Sequence, residues 1–534
     1  MFNHLSKFFL GKNKNLRNGK EVYRRSNIKG RSFPLIREWF DKEKKDEFLD
    51  AVVDDCTWND LNMNTLYEKM DFTSTTAGEQ MLYSVLRNPC YKEEELNKRE
   101  EIFKYFKENK IIKDNISKEL FKIGSCAHNI TESLDSSHEN SKQKSIFFSI
   151  LALIYLISLI SFIATWSKIL LFITIGLTVY NIFLHFKVTF KYNDQIESLL
   201  YLGKVVNSIK NFQKLTENTP YDVDNRFDYL DSKLTKIGDK TKTIARLEGL
   251  NLTGDYINIV FLIKERKFFQ LVDDLKLAEN EIYELHELIG LLDAYLSVVD
   301  YRDSLDSYCI PEFTDEKFVL EAVDVNHPLL VDGVCNSFKL DSKGIAITGS
   351  NMSGKSTFLR TIGINAITGQ TINTCSSEKF KSSFYKIISS ISLSDDINDG
   401  RSYYHSEAEA IKRVVKESNG DVTILSLVDE IFKGTNPVER ISAASEILNY
   451  ISCKNVVSFV TTHDMNLLPL LESYNNYFFT ETIENNTLNF DYKIREGISP
   501  NGNATKILEI IGYPSHLIKR IYNRIEKISD MNVS

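Results

Sequence analysis

The chain has 534 residues, 43% of them apolar and 26% charged, which is enough for about three or four domains of ordinary globular protein. Its formal net charge is −8, so the overall charge gives no reason to expect nucleic-acid binding. The seven cysteines are scattered without a CxxC pair, so we expect no metal cluster of Cys and His. We expect the thiols to be reduced, as in the cytosol.

Residues 1–58 form a predicted basic N-terminal arm. Residues 1–37 hold ten lysines and arginines and only one acidic residue, Glu21. An arm of this kind can bind anionic lipid or nucleic acid. It can equally be a solvated terminus without a ligand. The arm lacks the apolar core and cleavage site of a signal peptide, so we expect no export signal.

A long apolar stretch covers residues 145–186. Ser145–Trp166 contains no charge and spans about 33 Å as a helix, and Ile169–Phe186 spans about 27 Å more, each enough for a bilayer core. Lys168 separates the two spans, which predicts a transmembrane helical hairpin. The lysines that flank it are Lys142, Lys144, Lys187 and Lys191. Positive residues mark the cytoplasmic side, so the remainder of the chain and both termini are expected there.

Two other interpretations of the apolar stretch stay open. It can be a buried helical hairpin in a soluble core, although soluble helices seldom run this long without charge on any face. It can also be one long re-entrant segment. Residues 190–310 then have the pattern of long amphipathic helices with paired charges.

A glycine-rich loop in the last predicted domain, residues 313–534, follows the apolar strand "GIAIT" and precedes a helix pattern. "GSNMSGKS" fits the phosphate-binding pattern G-x-x-x-x-G-K-[ST] in full. Its glycines let backbone N–H groups face phosphate oxygens, and the helix start adds a positive dipole end. The predicted nucleotide-binding residues are Gly349, Ser350, Asn351, Met352, Ser353, Gly354, Lys355, Ser356 and Thr357. Lys355 supplies charge to the β- and γ-phosphates, and Ser356 offers its hydroxyl to Mg²⁺.

Two further strands are predicted to reach the same sheet edge. "VTILSLVDE" ends in Asp429, placed to hold Mg²⁺ through water, and Glu430, placed to orient or polarise the attacking water. "NVVSFVTTHD" delivers His463, which can sense the γ-phosphate or hold the water. Lys355, Glu430 and His463 are therefore the predicted catalytic residues, and Ser356 and Asp429 the predicted metal ligands.

These motifs together resemble the MutS family of ABC-class ATPases. The family's loop has the pattern T-G-x-N-M-[GS]-G-K-S-T, here "TGSNMSGKST", and its carboxylate pair precedes a glycine–threonine turn, as in "DEIFKGTNPVER". By resemblance, Ser402 reaches across a dimer to the partner's ATP, Glu407 supports the site, and Tyr492 lies near the adenine. Ser350 stands where the family has a proline, and Gly333 or Val334 stands where it has a second aromatic ring. The resemblance covers roughly residues 59–130 and 275–534.

The resemblance implies a fold of class α + α/β, in which a helical core and lever with an inserted transmembrane hairpin precede a P-loop ATPase domain. Residues 59–144 form the first part of that core, and residues 187–312 form the lever helices and the return to the core. Family members close as dimers around DNA, so it implies a homodimer that uses ATP and Mg²⁺. The chain has no room before residue 59 for the mismatch-reading domain, and we expect none.

Competing functions remain. The first is a membrane-tethered, DNA-binding ATPase related to mismatch repair or recombination proteins. The second is an ATP-switched membrane module with no DNA role. A third, a transporter of the ABC class, is disfavoured by the small number of spans. Fold alone does not decide among them.

Overall fold

The computed structural model describes residues 15–17, 20–22, 33–46, 52–126, 141–221, 225–248, 252–391, 403–433, 435–484, 487–499 and 504–533. The chain divides into two compact units. The first contains residues 1–48, 71–84 and 101–301, and the second contains residues 49–70, 85–100 and 302–534. The described part of the first unit is almost entirely helical and that of the second is α/β, which confirms the predicted mixture of the two classes.

The helices, in chain order, are α1 (Phe33–Asp46), α2 (Asp55–Asp60), α3 (Met63–Met70), α4 (Thr76–Arg87), α5 (Glu93–Glu108), α6 (Lys110–Ile123), α7 (Ser141–Thr165), α8 (Lys168–Thr216), α9 (Arg226–Glu248), α10 (Leu252–Phe261), α11 (Ile263–Leu277), α12 (Glu279–Ser304), α13 (Lys355–Ile372), α14 (Tyr403–Glu417), α15 (Pro437–Ser452), α16 (Ala504–Ile511) and α17 (Ser515–Val533). A 3-10 helix covers Met465–Leu470.

The strands are β1 (Asn15–Arg17), β2 (Lys20–Val22), β3 (Glu312–Phe313), β4 (Leu320–Val325), β5 (Asn336–Lys339), β6 (Gly344–Thr348), β7 (Lys379–Ser382), β8 (Lys386–Ser390), β9 (Ile424–Val428), β10 (Val456–Thr461), β11 (Tyr474–Phe478), β12 (Glu481–Glu484), β13 (Thr487–Phe490) and β14 (Arg495–Glu496).

In the first unit, α7 and α8 form a tight helical hairpin. Trp166, with φ of 49°, makes the turn, and the Ser158 and Thr174 hydroxyls meet across the two helices at 2.8 Å. Both helices are long and apolar enough to cross a membrane, and only 28% and 11% of their most apolar stretches are buried. Their apolar faces are therefore mostly exposed, unlike those of core helices in a soluble protein.

Helix α8 does not end with the apolar stretch. It continues to Thr216, and only Tyr192, with φ of −118° and ψ of 19°, departs from helical geometry. Helix α9 runs back along its second half, where a Cβ on Gly203 would lie 2.6 Å from Thr241. Helix α11 then packs beside α7, with Phe148 and Phe269 stacked at 5.7 Å. The predicted second span is thus the first third of a 49-residue helix.

The main sheet of the second unit has the order β14-β11-β6-β10-β9-β8 and is parallel except for β14. Strands β6, β9 and β10 are buried along their whole length, which explains their continuous apolar runs. Their carboxyl ends meet at one edge, and β10 lies between the other two. A smaller sheet has the order β3-β7-β4-β5, and β12 pairs with β13.

Two short helical segments, 49–70 and 85–100, group with the second unit instead of the helical one. Asp60 on α2 accepts hydrogen bonds from the Ser389 hydroxyl at 2.6 Å and the Ile391 N–H at 2.9 Å. Thr57 also accepts one from the Ser389 N–H. Helix α2 therefore covers the free edge of the main sheet at β8, which would otherwise expose unpaired backbone groups.

Candidate nucleotide site

The glycine-rich loop joins β6 to α13, as the sequence predicts. Gly349 and Gly354 have φ of 145° and 108°, which disfavours any residue with a side chain. A Cβ on Gly349 would also lie 2.7 Å from the Phe479 carbonyl oxygen. Met352 also has a positive φ, 68°, which is strained for a residue with a side chain, and that side chain is mostly exposed. The loop thus curves around the N-terminus of a helix, a geometry that favours the binding of anions.

Lys355 begins α13 and folds back over the loop. Its Nζ donates hydrogen bonds to the carbonyl oxygens of Gly349 and Ser350, both at 2.9 Å. Burial lowers the pKa of Lys355, while the neighbouring carboxylates of Glu430 and Asp429 oppose that shift. The buried ammonium is therefore held by weak carbonyl partners that phosphate oxygens can replace.

Ser356 and Asp429 form the second part of the site. The Ser356 hydroxyl donates to Asp429 Oδ2 at 2.5 Å, and the Thr461 hydroxyl donates to the other carboxylate oxygen. The Asp429 N–H is fixed by the Ser390 carbonyl at 2.9 Å. The three strands β8, β9 and β10 thus hold this carboxylate beside the hydroxyl. A serine hydroxyl next to a carboxylate is an oxygen set suited to Mg²⁺.

Glu430 lies at the centre of a polar network. Its Oε1 contacts His463 Nε2 at 2.7 Å and its Oε2 contacts Lys433 Nζ at 2.5 Å. The hydrogen bond from His463, with that from Lys433, lowers the pKa of Glu430 to about 2 against the effect of burial. His463 also lies 2.8 Å from Asn351 Oδ1 in the glycine-rich loop. Both oxygens of this carboxylate are therefore engaged.

A cavity of about 340 Å³ adjoins the loop. Tyr492, Gly333 and Val334 line it together with Lys355, Ser356 and Glu430. Asn336 fixes the Tyr492 segment, since it donates to the Tyr492 carbonyl at 3.0 Å and accepts from the Ile494 N–H at 2.8 Å. Tyr492, which the resemblance places near the adenine, therefore lies at the same cavity as Gly333 and Val334, which stand where the family has a second aromatic ring.

The structure brings almost all the predicted site residues together. The predicted site residues that line the cavity are Asn351, Met352, Gly354, Lys355, Ser356, Thr357, Glu430 and Tyr492. Gly349, Ser350 and Ser353 complete the loop, and Asp429 and His463 join it through the contacts above. Ser402 lies outside the described residues.

The sequence patterns did not predict two residues that the structure places at the site, Glu481 and Lys433. Glu481 accepts a hydrogen bond from the Ser350 hydroxyl at 2.7 Å, although 131 positions separate them. No local pattern could indicate that contact. Lys433, three residues after Glu430 in the same turn, contacts the Glu430 carboxylate through its Nζ. The Lys433 backbone N–H donates a hydrogen bond to the buried Glu407 carboxylate at 3.2 Å. The only available signal was that short spacing.

Comparisons with known proteins point to one family. The family model of MutS domain V matches residues 345–529. An endonuclease MutS2 of Streptococcus agalactiae is 30% identical over 234 residues, which cover 42% of this chain and 29% of the relative. A DNA mismatch repair protein MutS of Fervidobacterium nodosum is 29% identical over 295 residues, 51% of this chain and 34% of the relative. The matched part therefore spans about a third of these curated relatives.

Proposed function

We propose that this chain, a MutS-family protein, is a dimeric Mg²⁺-dependent ATPase tethered to a membrane and acting on DNA. The observation that carries the ATPase is the convergence of Lys355, the Ser356–Asp429 pair and the Glu430–His463 pair on one glycine-rich loop. These groups follow three strands of the same sheet: Lys355 and Ser356 follow β6, Asp429 and Glu430 follow β9, and His463 follows β10. An arrangement of cation, metal-ligand oxygens and carboxylate around a phosphate cradle suits phosphoryl transfer.

The residues of the site have separable roles in this proposal. Lys355 exchanges its two carbonyl contacts for phosphate oxygens. Mg²⁺, when bound with ATP, neutralises phosphate charge, and Ser356 and Asp429 are the residues that would hold it. Glu430 orients the attacking water, and His463 holds the carboxylate in place while it contacts Asn351 of the loop. The tyrosine of the cavity, Tyr492, offers a ring to the base.

The dimer is proposed from the family resemblance. In that arrangement Ser402 of one subunit completes the site of the other, so ATP joins the subunits and hydrolysis releases them. Glu430→Gln should then trap an ATP-loaded dimer. Size-exclusion chromatography with light scattering would detect it, and a variant that stays monomeric with ATP bound would contradict this part of the proposal.

The membrane tether is supported by the exposed apolar faces of α7 and α8. Because α8 continues without a loop from the apolar stretch to Thr216, a movement of the helical core would reach the bilayer through one helix. The portions that flank the hairpin, with the ATPase and both termini, would be cytoplasmic by the flanking lysines. The competing function is an ATP-switched membrane module that binds no DNA.

Fluorescence anisotropy of labelled duplex and branched DNA separates these functions. Detergent-purified full-length protein is titrated with and without ATP across a salt series, with Lys355→Ala as the control that loses ATP binding. ATP-dependent binding that weakens steeply with salt supports the DNA function, since phosphate contacts release counterions. Intact ATPase activity without DNA binding at low salt favours the membrane module and contradicts the DNA function.

A further inference from the structure

Two polar side chains lie inside the second predicted span, Ile169–Phe186. Asn181 is fully buried, and His185 follows it one helical turn later on the same face of α8. A polar group in hydrocarbon without a hydrogen-bond partner costs several kcal/mol. Something other than lipid must therefore cover this face of the helix.

The junction of α10 and α11 covers it. Asn181 Nδ2 donates to the Val260 carbonyl oxygen at 2.7 Å, and His185 Nδ1 contacts Glu265 Oε1 at 2.6 Å. Glu265 is only 2% exposed, so its contact with His185 is shielded from solvent. Leu262, with φ of 52°, makes the sharp turn between the two helices. Both contacts thus come from the residues on either side of that turn.

The depth of these contacts follows from helix geometry. Asn181 precedes Lys187 by six residues, which places it about 9 Å inside the apolar layer if Lys187 marks the boundary. The Phe261 ring lies 5.3 Å from the Tyr155 ring on α7, eleven residues and about 16 Å beyond Lys144. The turn between α10 and α11 is therefore at the depth of lipid acyl chains.

The composition of the turn fits that depth. Residues 256–263, "YINIVFLI", contain no charge, and we call them the apolar tip. The polar Asn258 is buried and its Oδ1 accepts the Lys264 N–H at 2.8 Å. Tyr256 and Ile257 are 66% and 55% exposed. The cations that follow the tip are Lys264, Arg266 and Lys267, a residue type that the anionic headgroups of lipids attract.

We propose that the apolar tip is a third membrane element, inserted from the cytoplasmic side into the leaflet beside the base of the hairpin. Its partner is the phospholipid bilayer, with Tyr256 and Ile257 against the acyl chains. This inference rests on the proposed membrane hairpin. It explains why a span can carry Asn181 and His185, because Val260 of the tip and Glu265, two residues beyond it, supply their hydrogen-bond partners.

Tryptophan quenching by bromine on lipid acyl chains tests the tip. The full chain is reconstituted into phosphatidylcholine–phosphatidylglycerol vesicles with and without brominated lipid. Trp166, 80% exposed at the hairpin turn, reports hairpin insertion in the unaltered chain, while Trp39 and Trp58 are buried. Tyr256→Trp, in a Trp166→Phe background, reports the tip. Tyr229→Trp in the same background is the matched control, since Tyr229 is 49% exposed on α9 far from the hairpin base.

The expected result is loss of most of the added emission for Tyr256→Trp and no loss for Tyr229→Trp. Quenching of Trp166 without quenching at position 256 would overturn the tip and leave the hairpin standing. No quenching at either position would overturn the membrane hairpin and the tip together. Equal quenching at positions 256 and 229 would also overturn it, since the protein would then be adsorbed along its whole helical surface.

Discussion

Replacing Lys433 with methionine removes one of the two groups that occupy the Glu430 carboxylate. Lys433 Nζ lies 2.5 Å from Glu430 Oε2, while His463 occupies Oε1. In the proposed ATPase reaction one carboxylate oxygen must be released before Glu430 can bind the attacking water, so the ion pair would oppose hydrolysis. We therefore expect Lys433→Met to hydrolyse ATP faster than the wild type.

The size of the effect follows from the exposure of the pair. The Lys433 side chain is 58% exposed, and an ion pair of that kind contributes about 0–1 kcal/mol. Breaking it before each turnover would slow the reaction by at most about fivefold. Lys433→Met should then raise the rate by up to about fivefold. The difference between variant and wild type should shrink at high salt, because salt weakens the ion pair that only the wild type has.

Single-turnover hydrolysis with excess enzyme measures the rate without product release. Lys433→Arg is the matched control, because an arginine keeps a cation next to Glu430 and should stay near the wild-type rate. A tenfold or larger fall in the rate of Lys433→Met, at unchanged ATP affinity, would refute the reasoning. It would mean that Lys433 stabilises the transition state instead of restraining the carboxylate.

Three further predictions follow from described contacts. Ser356→Ala removes the hydroxyl beside Asp429, so the Mg²⁺ concentration for half-maximal hydrolysis should rise by about tenfold; a Mg²⁺ titration of ATPase activity measures it, and an unchanged midpoint would contradict the metal assignment. Burial lowers the pKa of His286 to about 4, so the stabilisation that this neutral side chain contributes is complete above pH 6.5 and should fall by about 3 kcal/mol toward pH 4, while the buried Asp293, whose pKa burial raises to about 7, shifts stability in the opposite direction. His286→Gln should lose less over that range in thermal unfolding. Gly78→Ala places a Cβ 2.2 Å from Asp293 Oδ2 and should lower stability by about 1–3 kcal/mol, whereas an unshifted melting temperature would show that the carboxylate moves freely.

Much of the candidate site was predictable because its signals are local. A continuous apolar run followed by a glycine-rich loop specifies a buried strand and a turn within a few residues. Strand β6 covers the predicted run "GIAIT", and α13 begins directly after Gly354 of the loop. The carboxylates follow the run of β9 in the same way. Parallel strands then place their carboxyl ends at one edge whatever the rest of the chain does.

Other contacts could not be predicted, because they join distant segments through packing. Glu481 reaches the loop only because β12 follows β11 on the neighbouring side of β6. Helix α2 belongs to the sheet unit because β8 is an edge strand that needs cover. Neither relation leaves a periodic or spacing signal near the residues concerned.

By itself the sequence determined the residue types at three strand ends, the family resemblance and the position of the apolar stretch, since each depends on neighbours along the chain. Only the tertiary structure decided that α8 continues beyond the span and that Val260 and Glu265 cover Asn181 and His185. These pairs are 79 and 80 positions apart. They meet because α10 and α11 fold back along α7 and α8, where buried polar groups require hydrogen-bond partners.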